Sequence, residues 1–228
     1  MQRRAAREDG PPPTTTDEWA ARGYYGNRRD EMLPFVPHTT RTLLDIGCGR
    51  GAFGSNVKEK LGATVWGVEI VPEAARIAQA RLDRVLRADI GTALETLPAR
   101  HFDCVTFNDV LEHLVDPYSV IAGVGRLLTR GGIVVASLPN VRHFPVAWDL
   151  IWKARWDYKD CGVLDRTHLR FFTPSSMRSL FEERGYGVEL TGINPPRSKL
   201  GRLAARLAPP RFKDMQFLQF AVVATPME

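Results

Sequence analysis

Cysteine is scarce in this chain of 228 residues: Cys48, Cys104 and Cys161 are odd in number and far apart. They form no C-x-x-C pair, which argues against a paired-cysteine zinc site or a redox dithiol and favours a reducing, cytoplasmic setting. Long apolar runs are also missing. None approaches the roughly 20 residues that span a bilayer. The start, Met1-Gln2-Arg3-Arg4-Ala5-Ala6-Arg7, leads into acids rather than the apolar centre of a signal peptide, so neither secretion nor membrane insertion is expected. The chain has no G-x-x-x-x-G-K-[ST] loop, which leaves a nucleoside triphosphate site unsupported. A strong charge excess is lacking too. Net charge is only +5, gathered in the N-terminal arm and between Arg197 and Lys213. No aromatic residues interleave with it as in an RNA-binding face, so it reads as solvated surface and nucleic acid is not the expected partner.

The hydrophobic content of 44% suits one substantial core and hence one domain. Residues 1–17, Arg-rich and then Pro11-Pro12-Pro13-Thr14-Thr15-Thr16, have the composition of a mobile arm. Residues 18–228 are expected to form the domain. From Thr42 onward strands and helices alternate: strands at 42–46, 64–69, 84–88, 102–108 and 132–138, helices at 52–61, 73–82, 92–97 and 118–128. Strands such as Ile133-Val134-Val135-Ala136 are apolar throughout, as in parallel sheets covered on both faces. The expected fold is doubly wound α/β.

The last third departs from this alternation. Residues 140–172 read as an insertion with a helix at 144–155, whose Trp148, Trp152, Trp156 and Tyr158 form either an aromatic wall of the acceptor pocket or, as the helical spacing by four favours, a stripe packed into the core. Thr173 reads as an N-cap with Pro174 at the first helical position, opening a helix to about Arg184. Strands are expected at Val188 to Ile193 and Gln216 to Ala224. The basic amphipathic segment from Leu200 to Leu207 between them is expected to pack on the body or to contact a substrate or membrane surface.

The most informative stretch is Leu43-Leu44-Asp45-Ile46-Gly47-Cys48-Gly49-Arg50-Gly51, an apolar strand ending in an acid, then glycines at alternate positions, then a helix. Glycines let the backbone take positive φ and approach a ligand, and the new helix offers unpaired N–H groups. A nicotinamide dinucleotide site calls for G-x-G-x-x-G. Here the spacing is G-x-G-x-G, and Asp45 stands where it would repel a pyrophosphate and attract an amino group.

These residues resemble the class I S-adenosylmethionine-dependent methyltransferases. Four later segments extend the resemblance: Val65-Trp66-Gly67-Val68-Glu69-Ile70, Arg87-Ala88-Asp89-Ile90, the run from Phe102 to His113, and Leu127-Leu128-Thr129-Arg130-Gly131-Gly132, read as a turn before the fifth strand. The resemblance implies a Rossmann-like sheet of about seven strands, mostly parallel with an antiparallel final strand. Its cofactor would be S-adenosylmethionine, held by Gly47, Cys48, Gly49 and Gly51, with Asp45 on its amino-acid end and Glu69 on the ribose beside Ile70. Asp89 would face the adenine amino group with Ile90 flanking the ring, or else cap the next helix. Asn108 would lie beside the methionyl part. The segment Tyr24 to Leu33 is similar to the N-terminal cover of such enzymes, with Arg29 as candidate partner of the cofactor carboxylate.

Transfer to a hydroxyl needs a base. His113, beyond the fourth strand, and His168, in Leu164 to Thr173, are the catalytic candidates. No metal is expected. Asp109, Glu112, His113 and His168 nevertheless resemble the E-x-x-E-H plus His arrangement of metal-using methyltransferases and are the candidate ligands should one bind. The expected acceptor is a small molecule or glycan, in a pocket made by the N-terminal segment, the 140–172 insertion and the basic segment near 197–213. Two alternatives stand beside this. Ser137-Leu138-Pro139-Asn140-Val141-Arg142-His143 resembles methionine-biosynthesis methyltransferase-like proteins that act as partners of another enzyme, implying a non-catalytic binding subunit. The other is an RNA methyltransferase. Oligomeric state is left open.

Overall fold

A computed structural model describes residues 28–196 and 198–227. The arm at 1–17, the expected domain start at 18 and the segment Tyr24 to Asn27 lie outside the described residues. Seven strands form one sheet: β1 (Thr42–Ile46), β2 (Thr64–Glu69), β3 (Arg84–Arg87), β4 (Phe102–Asn108), β5 (Leu128–Pro139), β6 (Tyr186–Ile193) and β7 (Gln219–Pro226), in the order β3-β2-β1-β4-β5-β7-β6. The pairs from β3 through β5 are parallel, and β7 inserts antiparallel between β5 and β6. The expected antiparallel final strand is present.

The uninterrupted apolar strands have a simple cause. Successive side chains point to opposite faces, and each face meets its own hydrophobic cluster. Leu43, Val65, Cys104 and Val135 pack with Met32, Phe53, Val57 and Ala78, on the side of α1 (Ala52–Leu61) and α2 (Pro72–Gln79). Leu44, Val105, Phe107 and Val134 pack with Ala93, Ile121, Leu180 and Phe181. Those four belong to α3 (Ile90–Thr96), α4 (Pro117–Val124) and α6 (Pro174–Glu182). Thr173 caps α6 as expected, its hydroxyl accepting from the Ser176 N–H while the Ser176 hydroxyl accepts from the Thr173 N–H.

Three expectations need correction. The Thr129 to Gly132 stretch is not a turn ahead of the fifth strand. β5 already begins at Leu128, and the register against β4 shifts between Phe102 and Cys104 where Gly131 takes φ 78°. Leu128 pairs with Phe102 and Ile133 with Cys104, so Thr129 to Gly132 interrupt the pairing with β4 inside the bounds of β5. The seventh strand starts at Gln219, because residues 210–216 form a 3-10 helix. The tryptophan stripe is not in the core. Helix α5 (Phe144–Lys153) buries none of its residues, and Trp148 and Trp152 are 44% and 70% exposed. The helix ends at Ala154 in a left-handed conformation, so Trp156 leaves the stripe and stacks edge-on against Phe171.

The segment Asn140 to His143 is a clasp. Asn140, fully buried, donates to the carbonyls of Asp214 (3.0 Å) and Phe217 (3.1 Å) and accepts from the Arg142 N–H (3.0 Å). Arg142 grips the Asp214 carboxylate through Nε and Nη2, and the His143 ring meets the Met215 carbonyl. Asn140→Ala would strand the Phe217 carbonyl and the Arg142 N–H, while the Asp214 carbonyl keeps the Phe217 N–H at 3.2 Å, so we expect urea unfolding to show a loss of about 2 kcal/mol. Wild-type stability in that variant would show the clasp to be idle.

Candidate active site

The order of the sheet reverses between β1 and β4, and the C-terminal ends of the strands there open a crevice where α/β folds bind ligands. The glycine turn sits in that crevice. Gly47, Gly49 and Gly51 have φ of 68°, 53° and 74°, so the alternate-glycine pattern is a run of left-handed residues. The N–H groups of Gly47 and Cys48 both donate to the Val68 carbonyl, at 2.8 and 3.1 Å. A Cβ on Gly47 would lie 2.5 Å from Val110 Cγ2, so the turn and the segment after β4 are in direct contact. Cys48 is buried, and desolvation pushes its thiol up, so it is a packing group rather than a nucleophile.

Glu69, at the end of β2, is 5% exposed. One oxygen accepts from the Gly49 N–H and the other from the Val71 N–H, both at 2.8 Å. Burial raises its pKa against these donors. The carboxylate therefore shapes the glycine turn, and each oxygen keeps a lone pair for a ribose hydroxyl. Ile70 beside it is 65% exposed, an apolar side chain available to cover a ring. Asp89 caps α3, accepting from the Thr92 N–H (3.1 Å) and the Thr92 hydroxyl (2.6 Å), which lower its pKa. Ile90 follows it, half-buried against the core. The Asn108 amide is close enough to Asp45 to lower that group's pKa, yet both its polar atoms are buried without a hydrogen-bond partner of normal geometry. Such an amide fits a ligand that carries both a donor and an acceptor.

Asp45 is 2% exposed and accepts from the Thr106 hydroxyl at 2.8 Å. Burial raises its pKa to about 7 from 3.8, with Glu69 adding to the rise. In this state it favours a cationic guest.

Arg29 lies across these strand ends, only 8% exposed. It is carried there by neighbours: Arg28 donates to Asn56 (2.8 Å) and Glu59 (3.0 Å), Asn56 donates to Asp30 (2.7 Å), and Met32 is buried in the core. Its guanidinium pairs with Asp109 and donates to Ser137 Oγ at 2.8 Å. Arg29 is thus buried at the strand ends, where the expected cofactor carboxylate contact would be made. Sequence reasoning missed Ser137, Asn194 and Gln219, which complete the network around Asp109. No local signal marks them, because their partners are remote in the chain.

His113 and His168 meet, rings edge-to-face with centroids 4.8 Å apart. His113 Nδ1 lies 3.2 Å from the Thr167 carbonyl, and His168 Nδ1 lies 3.0 Å from the Val163 carbonyl. A carbonyl only accepts, so in each ring Nδ1 is the donor to it. Burial and the neighbouring His168 lower the pKa of His113. Glu112 is 1% exposed, with neither oxygen hydrogen-bonded and Oε1 3.9 Å from His168 Nε2. Burial and Asp109 push its pKa well up. Ligand atoms of Glu112, His113 and His168 all fall within 4.8 Å of one another. Asp109, the remaining candidate ligand, is turned instead to Arg29, Ser137 and Gln219.

Two cavities adjoin these groups. A small one of about 90 Å³ holds Asp109, Glu112 and His168. A groove of about 1410 Å³ runs between α5 and α7 (Lys199–Leu207), with Phe144, Trp148, Trp152 and Phe212 among its walls.

This sheet, with a left-handed glycine turn between two buried acids, defines a Rossmann-like class of adenosyl-cofactor proteins. Residues 18–191 match the family described as Methyltransferase domain, and the chain belongs to that family. It is an S-adenosylmethionine-dependent methyltransferase. Among its relatives is a ubiquinone biosynthesis O-methyltransferase of Thiobacillus denitrificans, 30% identical over 180 residues covering 75% of each chain. An uncharacterised methyltransferase of Mycobacterium bovis is 33% identical, covering 65% of this chain and 72% of that one. In fold, the chain matches a SAM-dependent methyltransferase from Archaeoglobus fulgidus with a TM-score of 0.67 at 18% identity, over 92% of this chain and all of that one. Among the described residues, no helix is long and apolar enough to cross a membrane.

The raised pKa of Asp45 sets a pH dependence. Its folded-state pKa of about 7 lies above the 3.8 of a free carboxyl. The folded chain therefore retains a proton that the unfolded chain has lost, and stability present below 3.8 declines as pH rises towards 7. A bound ammonium group reverses this by favouring the carboxylate, so cofactor binding should strengthen from about pH 5 to 7 with proton release. Calorimetry in buffers of different ionisation enthalpy measures that proton. Asp45→Asn should abolish the release and weaken binding about 10- to 100-fold; an unchanged affinity would remove Asp45 from the cofactor site.

Proposed function

We propose that this methyltransferase acts in the cytoplasm on a hydroxyl of a small-molecule or glycan acceptor lying in the groove between α5 and α7. The observation that supports this most is the arrangement of its cavities. The groove reaches Arg29 and Gln219, the smaller cavity beside it contains His168 and Glu112, and the cofactor turn meets Val110 of the same post-β4 segment. The relative named as an O-methyltransferase supports oxygen as the accepting atom.

S-adenosylmethionine fits the residues present, given the orphaned Asn108 amide and the two buried acids, and when bound supplies a methyl group on sulfur to an in-line nucleophile. The chain's own work is positional and protolytic. Asp45 holds the ammonium end, Glu69 the ribose, and Asn108 the methionyl portion, while Ile70, Asp89 and Ile90 surround the adenine. The walls of the groove fix the acceptor, which converts an encounter into a near-unimolecular step. His168, which lines the smaller cavity, would take the proton that the acceptor hydroxyl gives up. His113 supports that ring edge-on.

A second reading rests on the unpartnered carboxylate of Glu112. A buried acid whose carboxylate has no hydrogen-bond donor, with ligand atoms of two imidazoles within 4.8 Å, suits a divalent cation. Glu112, His113 and His168 would hold it, and it would acidify the acceptor hydroxyl.

Incubation with labelled cofactor and fractionated metabolite or glycan extracts, read by mass spectrometry, tests the main reading. A labelled methyl ether is expected. Tight cofactor binding with no labelled product in any fraction would favour a binding subunit. His168→Ala should lower kcat about 10²- to 10⁴-fold while cofactor affinity is kept. Full activity after exhaustive chelation would end the metal reading.

A further inference from the structure

The two cavities share a wall. Leu218 and Gln219 line both of them, with Asp109 on the inner side and Arg29 and Asn194 on the groove side. Gln219 is held from both ends of its amide: Nε2 donates to Asp109 Oδ1 at 2.8 Å, and Oε1 accepts from Asn194 Nδ2 at 3.0 Å. Asp109 is fixed in turn by the Arg29 guanidinium and by the Ser137 hydroxyl at 2.9 Å.

Left-handed backbone gathers at the same place. Among the described residues five non-glycine positions have positive φ, and three of them, Arg29 (50°), Asp109 (57°) and Asn194 (54°), belong to this one network. Aspartate and asparagine tolerate that conformation and arginine takes it rarely, so it is at Arg29 that the surroundings must over-determine the backbone. These positions come from three remote parts of the chain: the segment before β1, the end of β4 and the end of β6. They converge on a fourth, the first residue of β7.

We propose that Gln219, pinned by Asp109 and Asn194 and backed by Arg29, is a gate between the acceptor groove and the His168 cavity. It acts as a positioning and specificity residue, holding the body of the acceptor in the groove and admitting a narrow hydroxyl-bearing tip to His168. This rests on the reading of the groove as the acceptor's site. It also gives Asp109 a role apart from metal binding, because its carboxylate neutralises Arg29 and orients the Gln219 amide. An acceptor suited to this gate has an apolar body for the Trp148 and Trp152 side and a polar end that can displace or join the Gln219 hydrogen bonds.

The test reads access directly and needs no acceptor. Diethyl pyrocarbonate acylates imidazole nitrogen, and peptide mass spectrometry gives a rate for each histidine. In chelator-containing buffer the wild-type chain should label His168 more slowly than His143, which lines the groove, and exposed His38. Gln219→Ala should raise the His168 rate about tenfold, the change that loss of one closing interaction of about 1.4 kcal/mol produces, and leave His143 unchanged. Asp109→Asn, which keeps a residue tolerant of positive φ, should raise it in the same direction. An unchanged His168 rate in both variants would overturn the gate, as would wild-type labelling of His168 as fast as His38. Should Gln219→Ala accelerate every histidine, the variant has loosened globally and the Asp109→Asn rate decides alone. Failure here leaves labelled methyl-ether formation untouched, so the gate and the methyltransferase reading fall separately.

Discussion

The structure turns on the bond between the Gly49 N–H and the Glu69 carboxylate. Left-handed glycines at 47, 49 and 51 leave backbone donors facing inward. A buried acid is needed to satisfy one of them and to hold the turn open beneath a ligand. Glu69 does so from the end of β2 while its other oxygen secures the chain into α2. With that turn fixed, Gly47 can press against Val110, and the segment bearing Asp109, Glu112 and His113 takes its place. The cofactor side and the catalytic side are thus coupled through one contact at the switch point of the sheet.

Electrostatics divides the crevice into two kinds of acid. Asp45 and Glu69 are buried with raised pKa values and face the place where a cation and hydroxyls would bind. Glu112 is buried more completely and lacks even a hydrogen bond, whereas Asp109, a few residues away, is saturated by Arg29, Ser137 and Gln219. Two acids three positions apart therefore have opposite circumstances, one starved of partners and one neutralised. A reader of the sequence sees both only as members of a D-x-x-E-H segment.

That contrast explains what was legible beforehand. The fold could be read because its signals are local: apolar strands, capped helices, and glycines at fixed offsets. The glycine turn is held by similarly local bonds, Glu69 reaching Gly49 across 20 positions and Val71 across two. The Asp109 network and the groove wall are built differently. Arg29 reaches Asp109 across 80 positions, Arg142 reaches Asp214 across 72, and Gln219 reaches Asp109 across 110. No periodicity announces such pairs. The tryptophans misled for the related reason that spacing by four identifies a helical face without saying what that face meets. Here Trp148 and Trp152 meet the groove.

The segment Ser137 to His143 shows what this division means for function. Its residues are used in succession: Ser137 serves Arg29 and Asp109, Asn140 and Arg142 hold the 210–216 helix, and His143 meets Met215. None of those contacts is catalytic, yet together they set one wall of the groove against the strand ends. A resemblance carried by this segment therefore reports how the acceptor wall is anchored and does not favour a binding subunit over an enzyme. Because α5 and α7 contribute exposed faces to the groove, their residues can change with little cost to the core, while the clasp and the Asp109 network keep the new surface aimed at His168. The glycine turn is held by short-range bonds that such changes do not reach, so under the proposed reading of the groove acceptor choice can vary on a constant methyl-donor site.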